Sequence, residues 1–476
     1  MKLLKYPEFS LKYSIFSFLM ALIGASVFTS CIEDGITTSP SDQPAFASDT
    51  INLGKVFTEE GTPTKRFMVY NRHDKILNIS RVSIRNGGSG IFRVNVDGVS
   101  GREFYNVEIR PNDSIYVLVE ATLPASGTLL PVEISDMLDF ETNGVTSSVV
   151  LYALGQDAER LYGHVITRDT VWEPSLPRII YDSLVVAPGA RLTIKGGSSL
   201  HFHDKAVLTV DGTLVTEGTP DAPVEMGGDR TGNVLTDVSF DIMSNQWGGV
   251  IFSPTSSDNS LAHTLICNTS FGVVADSTDL SLINCRLRNS AGMALQTRHT
   301  DLEAIGCELA DASMGVVGIH GGTARLVSCT IANYYLFTAL GGPAIKLSHT
   351  GYDSGKVYDD DESGLPHLQA TFDNCIVYGN GSDVSHPKLD GTRIFFRNSL
   401  LKSNGSDDDN FIKCIWGEDP LYHTVREDYL FDYRLHADSP AIGVADPALA
   451  DPRLTVDYYG TPRTATLGAY EAKAEN

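Results

Sequence analysis

Past its first thirty residues the chain is built from short runs in which apolar and polar residues alternate, with no apolar stripe of helical length. The opening is different. Lys2, Lys5 and Lys12 precede Tyr13 to Ser30, an uncharged stretch of 18 residues ending in small residues before Cys31. That layout predicts a secretory signal peptide over 1–30, the stretch being near the minimum for a membrane span. Residues 31–48, rich in Thr, Ser, Pro and Asp, are expected to form a flexible tether. From 49 to 160 the alternation has period two. Arg66-Phe67-Met68-Val69-Tyr70, Ile79-Ser80-Arg81-Val82-Ser83-Ile84, Ile115-Tyr116-Val117-Leu118-Val119 and Ser148-Val149-Val150-Leu151-Tyr152-Ala153 are of strand length. Asn86-Gly87-Gly88, Pro111-Asn112-Asp113 and Thr142-Asn143-Gly144 are turns between such runs. An antiparallel β-sandwich is predicted.

From residue 161 the chain repeats itself. Asn284-Cys285-Arg286-Leu287, Gly306-Cys307-Glu308-Leu309 and Ser328-Cys329-Thr330-Ile331 place cysteines 22 residues apart. Asn374-Cys375-Ile376-Val377 follows after 46, one period plus a 24-residue insertion, and Ser399 continues the column. Between them Gly292-Met293-Ala294-Leu295-Gln296-Thr297-Arg298-His299-Thr300 recurs at Gly342 to Thr350. A fixed period of this length means a solenoid. Several short β-branched runs per unit, broken by Gly, Asn, Ser and Asp, select a right-handed parallel β-helix over 161–435. Its coils stack at about 4.8 Å. Residues 436–476 are expected to cap the last coil, an exposed edge otherwise.

Four stretches carry resemblances. Val27-Phe28-Thr29-Ser30-Cys31 resembles a lipobox, and Ile32-Glu33-Asp34-Gly35 resembles the surface-export signal of Bacteroidetes lipoproteins. These imply lipidation of Cys31 and two acyl chains in the outer membrane, the protein facing the exterior, with the periplasmic face as the alternative. The sandwich, with Asn71 and Leu154-Gly155-Gln156-Asp157, resembles immunoglobulin-like modules related to the abnormal-spindle type. Ala187 to Ile194, Val210-Asp211-Gly212-Thr213-Leu214, Glu217-Gly218-Thr219-Pro220 and Gln246-Trp247-Gly248-Gly249-Val250-Ile251 resemble pectin-lyase-like β-helix proteins. Asp438-Ser439-Pro440-Ala441-Ile442 and Leu467-Gly468-Ala469-Tyr470-Glu471 resemble the C-terminal segment of "choice-of-anchor" β-helix proteins. Gly443 and Thr466 stand where that pattern has Asp.

Charge narrows the function. The chain carries −23, with 59 acidic against 36 basic residues, and −25 after loss of residues 1–30. Such a surface repels nucleic acid and favours a soluble monomer. Six cysteines follow Cys31. Those in the column point the same way one coil apart, too far for a disulfide, so they are expected to be buried thiols. Cys267 lies off the column, and the state of Cys414 stays open.

Candidate ligand contacts are His299 and His349 at equivalent corners, His320 on the intervening coil, and the acidic run Asp359, Asp360, Asp361, Glu362. Tyr334, Tyr335, Tyr352 and Tyr358, in or beside the insertion, are candidate sugar platforms. Wet corners, core packing and solvated loops account for the same residues. His201 and His203 share a strand face, but a zinc site needs a third ligand. No cofactor is expected; Ca²⁺ at the acidic runs 359–362 or 407–409 is the alternative. Hydrolases on the resembled fold carry Gly-His-Gly and Arg-Ile-Lys runs with Asp on neighbouring coils, and lyases carry a Ca²⁺ cluster or an Asp-Pro-His-Asp type run. None occurs here, and Gly318-Ile319-His320-Gly321-Gly322 is a distant echo. The expectation is a surface lipoprotein that binds polysaccharide or another glycan along a β-helix face without catalysis. A polysaccharide lyase or glycoside hydrolase with an atypical site, and a structural envelope protein, are the rivals.

Overall fold

The computed structural model describes residues 35–472 apart from 231, 236–237, 350–367 and 390–392. Cys31, Tyr352, Tyr358 and the run Asp359 to Glu362 lie outside the described residues. Among those described there is no α-helix, only strands and four short 3-10 turns. The chain divides into two compact units, one ending at Gly155 and the other running from Gln156 onward with Gly127–Leu130 added.

The first unit is an antiparallel sandwich of two five-stranded sheets. Alternation makes it so: Ser114–Ala121 turns every second residue inward, and Val69, Val117, Val119, Phe140 and Leu151 from both sheets meet in the core. The hairpin Val132–Thr142 to Val145–Gln156 closes through Asn143 and Gly144, both at positive φ, as a two-residue turn demands. The tether expected over 31–48 is corrected over its described part. Ala45–Phe46 pairs with Val69 and Tyr70, the Phe46 ring lies tilted 4.9 Å from that of Phe140, and the Thr37 amide donates to Ile76 O at 2.9 Å. A half-buried aromatic packed on the core and the pairing of a two-residue strand make this segment part of the sandwich.

The second unit is a parallel β-helix. A single 26-stranded sheet winds from Glu159–Ile166 to Ile415–Trp416, with parallel pairing between coils throughout. Register follows the 22-residue period: Val273 pairs with Leu295, and Leu295 with Val317. Aromatic stacks fill both ends of the core, Phe202 on Trp247 at 4.1 Å and Phe372 on Phe396 on Phe411 at 4.4 and 5.0 Å.

The cysteine column explains the repeat. Asn284, Gly306, Ser328, Asn374 and Asn398 all take positive φ, turning the chain through a left-handed corner. The next residue, Cys285, Cys307, Cys329, Cys375 or Ser399, then points inward and is fully buried. All described cysteines are free thiols. The amide of Cys285 lies 3.4 Å from Cys307 Sγ, and the Cys375 amide donates to Ser399 Oγ at 3.0 Å. Cys414 belongs to this column too, because Leu400 pairs with Ile415, one residue on.

The C-terminal segment does more than close an end. Its Tyr422, Phe431, Tyr433, Leu435, Leu467 and Tyr470 pack along the flank on Ala310, Ala332, Ile376 and Leu400, from four successive coils, with Ile415 of the last strand beside them. The corner asparagines hold it. Asn284, Asn374 and Asn398 donate their side-chain amides to the carbonyls of Val456, Asp446 and Val444 at 3.0, 3.0 and 2.8 Å. Where the corner is Gly306, Leu454 takes the space: a Cβ there would sit 2.5 Å from its Cδ1.

Candidate functional site

One flank of the β-helix presents two outward columns. Ser199, Glu225, Leu265, Arg286, Glu308, Thr330 and Ile376 form the first; His201, Gly227, Cys267, Arg288, Ala310 and Ala332 form the second. Residues between them, Leu200, Met226, Ile266, Leu287 and Leu309, face the core. From Glu308 onward the flank lies under the C-terminal segment. Below that it is open, and the short side chains of Gly227 and Cys267 leave a groove of about 480 Å³. His201, Glu225, Leu265, Arg286 and Arg288 line it from the coils, Phe431 from the C-terminal segment, and Asp241 and Ile242 from an excursion. The excursion is pinned by corner amides: Asn268 and Asn289 donate to Asp241 O at 2.8 and 3.0 Å, and Gln246 donates to Met243 O at 2.9 Å.

Behind the groove is a buried charge network. Arg288 lies 3.6 Å from Glu308 and 3.7 Å from Asp311, and donates to Phe431 O at 3.1 Å. Arg286 lies 3.4 Å from Glu308 with its guanidinium over the Tyr458 ring at 5.2 Å. Tyr470 donates its hydroxyl to Glu308, and Tyr433 donates to Asp311 at 2.5 Å. Burial pushes the Asp311 carboxyl up to about 6 against the pull of Arg288. Burial acts the same way on Glu308, but Arg286 and Arg288 outweigh it and hold that carboxyl below its ordinary value. Two carboxyls with divided proton affinities are the mark of an acid–base pair. Here both are under 3% exposed, with tyrosines of the C-terminal segment bonded to them. Through those tyrosines they fasten the C-terminal segment to the flank. Arg286 Nε, Arg288 Nε, Glu308 Oε1 and Asp311 Oδ2 have no hydrogen-bond partner among the described residues.

No family model and no curated protein matches this chain. Among solved structures it is similar to one described as a family 123 glycoside hydrolase from Clostridium perfringens, studied for glycolipid glycan hydrolysis. The identity is 9% and the TM-score 0.17, over 24% of this chain and 26% of that one. The match thus spans about a quarter of that protein and carries no argument about fold or activity.

The histidines expected at one corner are only partly brought together. His299 and His349 lie in one column, two coils apart, with Gly321 between; a Cβ on Gly321 would meet His299 Nδ1 at 2.6 Å. His320 sits in the neighbouring column, paired with Arg298 and Ser348, and its Nδ1 is 2.6 Å from Ser348 Oγ. Burial, with Lys346 and Arg298 nearby, lowers its pKa to about 4, so it is neutral near pH 7. At 1% exposure it offers no ligand contact. Tyr335 is corrected as a sugar platform: it is buried, with its hydroxyl 2.7 Å from Ser244 Oγ. Tyr334 is corrected likewise, packed edge-on to Tyr422 at 6.3 Å beneath the C-terminal segment. In the 407–409 run, Asp407 accepts from the amides of Lys413 and Cys414 and from Trp416 Nε1, and Asp408 from the amides of Asn410 and Phe411, so both organise their own loop. Among the described residues no three His, Cys, Asp or Glu converge as a metal site.

The groove itself escaped the sequence. Of its lining, His201 was singled out by its spacing from His203. Its Nδ1 donates to Gly228 O at 3.0 Å and its Nε2 lies 2.9 Å from Ser199 Oγ, while His203 pairs with Asp229 at 2.5 Å. Cys267 lies off the inward column and on the groove floor, and burial raises its thiol to about 12, which keeps it unreactive.

Proposed function

We propose that this protein is a surface-displayed lipoprotein that holds carbohydrate in the flank groove of its β-helix without cleaving it. The observation that carries this reading is the groove's lining. An apolar floor of Leu265, Ile242 and Phe431 lies beside carboxylates, amides and guanidinium groups, in a cavity of about 480 Å³. Ligand pockets of this size combine apolar walls with a few placed polar groups, and a pyranose offers a matching apolar face and rim of hydroxyls. On the coils that precede the groove, Tyr162 stacks on Tyr181 at 4.7 Å and Tyr181 lies tilted 4.9 Å from His203; Tyr162 is 65% exposed, a ring face for a longer chain. The sealing of Glu308 and Asp311 under tyrosines favours binding over cleavage. In this reading Cys31 is acylated in the outer membrane, with the protein facing the exterior, the immunoglobulin-like sandwich is a spacer, and the pectin-lyase-like helix carries the ligand.

The test is a glycan array probed with the mature chain and with Leu265→Trp, which fills the groove from a partly exposed position. The wild type should retain an oligosaccharide that the variant loses at an unchanged melting temperature. Retention by the variant would move the site elsewhere. Retention of no glycan would leave the structural envelope role, and unsaturated or reducing-end products would make the protein an enzyme.

A further inference from the structure

We infer that the groove selects sugars bearing a free ammonium group over uronates. This rests on the carbohydrate reading above and names the class of sugar at that site. The argument is one of which charges remain to be used. Two cations line the groove, but Arg286 and Arg288 are ion-paired with Glu308 and Asp311, their side chains only 14% and 13% exposed. Two anions line it as well, and these are unspent. The exposed carboxylates of Glu225 and Asp241 have no ion pair or hydrogen bond among the described residues. Both act, with the two arginines, on the Cys267 thiol at the groove floor, so they bear on one small volume. Asp241 is held there by the Asn268 and Asn289 amides that bind its backbone carbonyl, which leaves its side chain free to meet a ligand.

A uronate entering this groove meets two like charges, no uncommitted arginine, and the field of a chain carrying −23. An ammonium group on the sugar ring meets two acceptors, and neighbouring hydroxyls donate to the same oxygens. Screening by water limits each carboxylate at such a site to about a two- to fivefold change in affinity.

The experiment is calorimetric titration of the mature chain with three probes: β-1,4-linked glucosamine tetramer, its N-acetylated counterpart, and tetragalacturonate. Each is measured at low and high salt, with wild type, Leu265→Trp and the double variant Glu225→Gln with Asp241→Asn. The glucosamine tetramer should bind tightest, and high salt and the double variant should each shrink its advantage, the latter by about tenfold. Tetragalacturonate should gain, not lose, in the double variant. If tetragalacturonate binds the wild type as tightly as the amino sugar, or the double variant leaves the amino sugar's advantage undiminished while Leu265→Trp abolishes binding, the selectivity is overturned and the groove stands. If no tetramer binds, or Leu265→Trp changes nothing, the carbohydrate reading falls and takes the selectivity with it.

Discussion

Asp311 makes the attachment of the C-terminal segment dependent on pH, and Asp311→Asn isolates the effect. Its carboxyl is 1% exposed, accepts from the Tyr433 hydroxyl and the Tyr334 amide, and titrates at about 6 instead of 3.8 because burial disfavours the charge. A carboxyl whose pKa is raised by folding binds its proton more tightly in the folded state. Its contribution to stability is therefore complete below pH 3.8 and is lost as pH rises through 6. The whole loss is about 3 kcal/mol, of which about 2 kcal/mol falls between pH 4.5 and pH 7. Glu308 has the opposite sign. Its lowered pKa gives stability above the ordinary 4.5 that is lost only as pH falls further, outside this window. Asparagine keeps the acceptor oxygen for Tyr433 and Tyr334 and removes the titration. Urea denaturation at pH 4.5 and pH 7 should show the variant gaining on wild type by about 2 kcal/mol across the interval. A difference constant to within about 0.5 kcal/mol would refute the assignment of the titrating charge to Asp311.

Cys307 tests the coil register: Ala should cost about 1 to 2 kcal/mol and Asp several, with Ser between, as Ser399 already occupies the same column. Equal tolerance of Ala and Asp, or rapid thiol labelling of the native protein, would show the column to be misplaced. Asn374→Ala should cost about 2 to 4 kcal/mol, since it strains a corner at φ 53° and removes the amide bonded to Asp446 O; limited proteolysis should then release the C-terminal segment first. Cys31→Ala should abolish lipidation, read as loss of partitioning into detergent, and unchanged partitioning would refute the lipobox reading.

What the sequence revealed tracks how many constraints act on a position. The Asn-Cys motif was legible because its first residue must take a left-handed corner and its second must be small and apolar, coil after coil. The same asparagines have a third task that no spacing announces, which is to bond the backbone of residues 444–456. Cys414 escaped because the last coil is cut short, placing it 15 residues after Ser399 where the period is 22 to 24. The groove was hidden for a related reason. Its residues come from four coils, an excursion and Phe431, and outward positions between 199 and 289 obey no repeat. Tyr334 and Tyr335 looked like platforms because nothing in the chain reveals that the C-terminal segment folds back over the first and that Ser244 meets the second.

Hydrogen–deuterium exchange of the mature protein with and without the tightest glycan from the array tests the central claim most directly. Bound glycan should slow exchange at 199–203, 224–228, 240–243, 264–268 and 286–289, the strands and turn that build the groove. Protection confined to the histidine corner at 296–300, 318–322 and 345–349, or to the C-terminal segment alone, would contradict it.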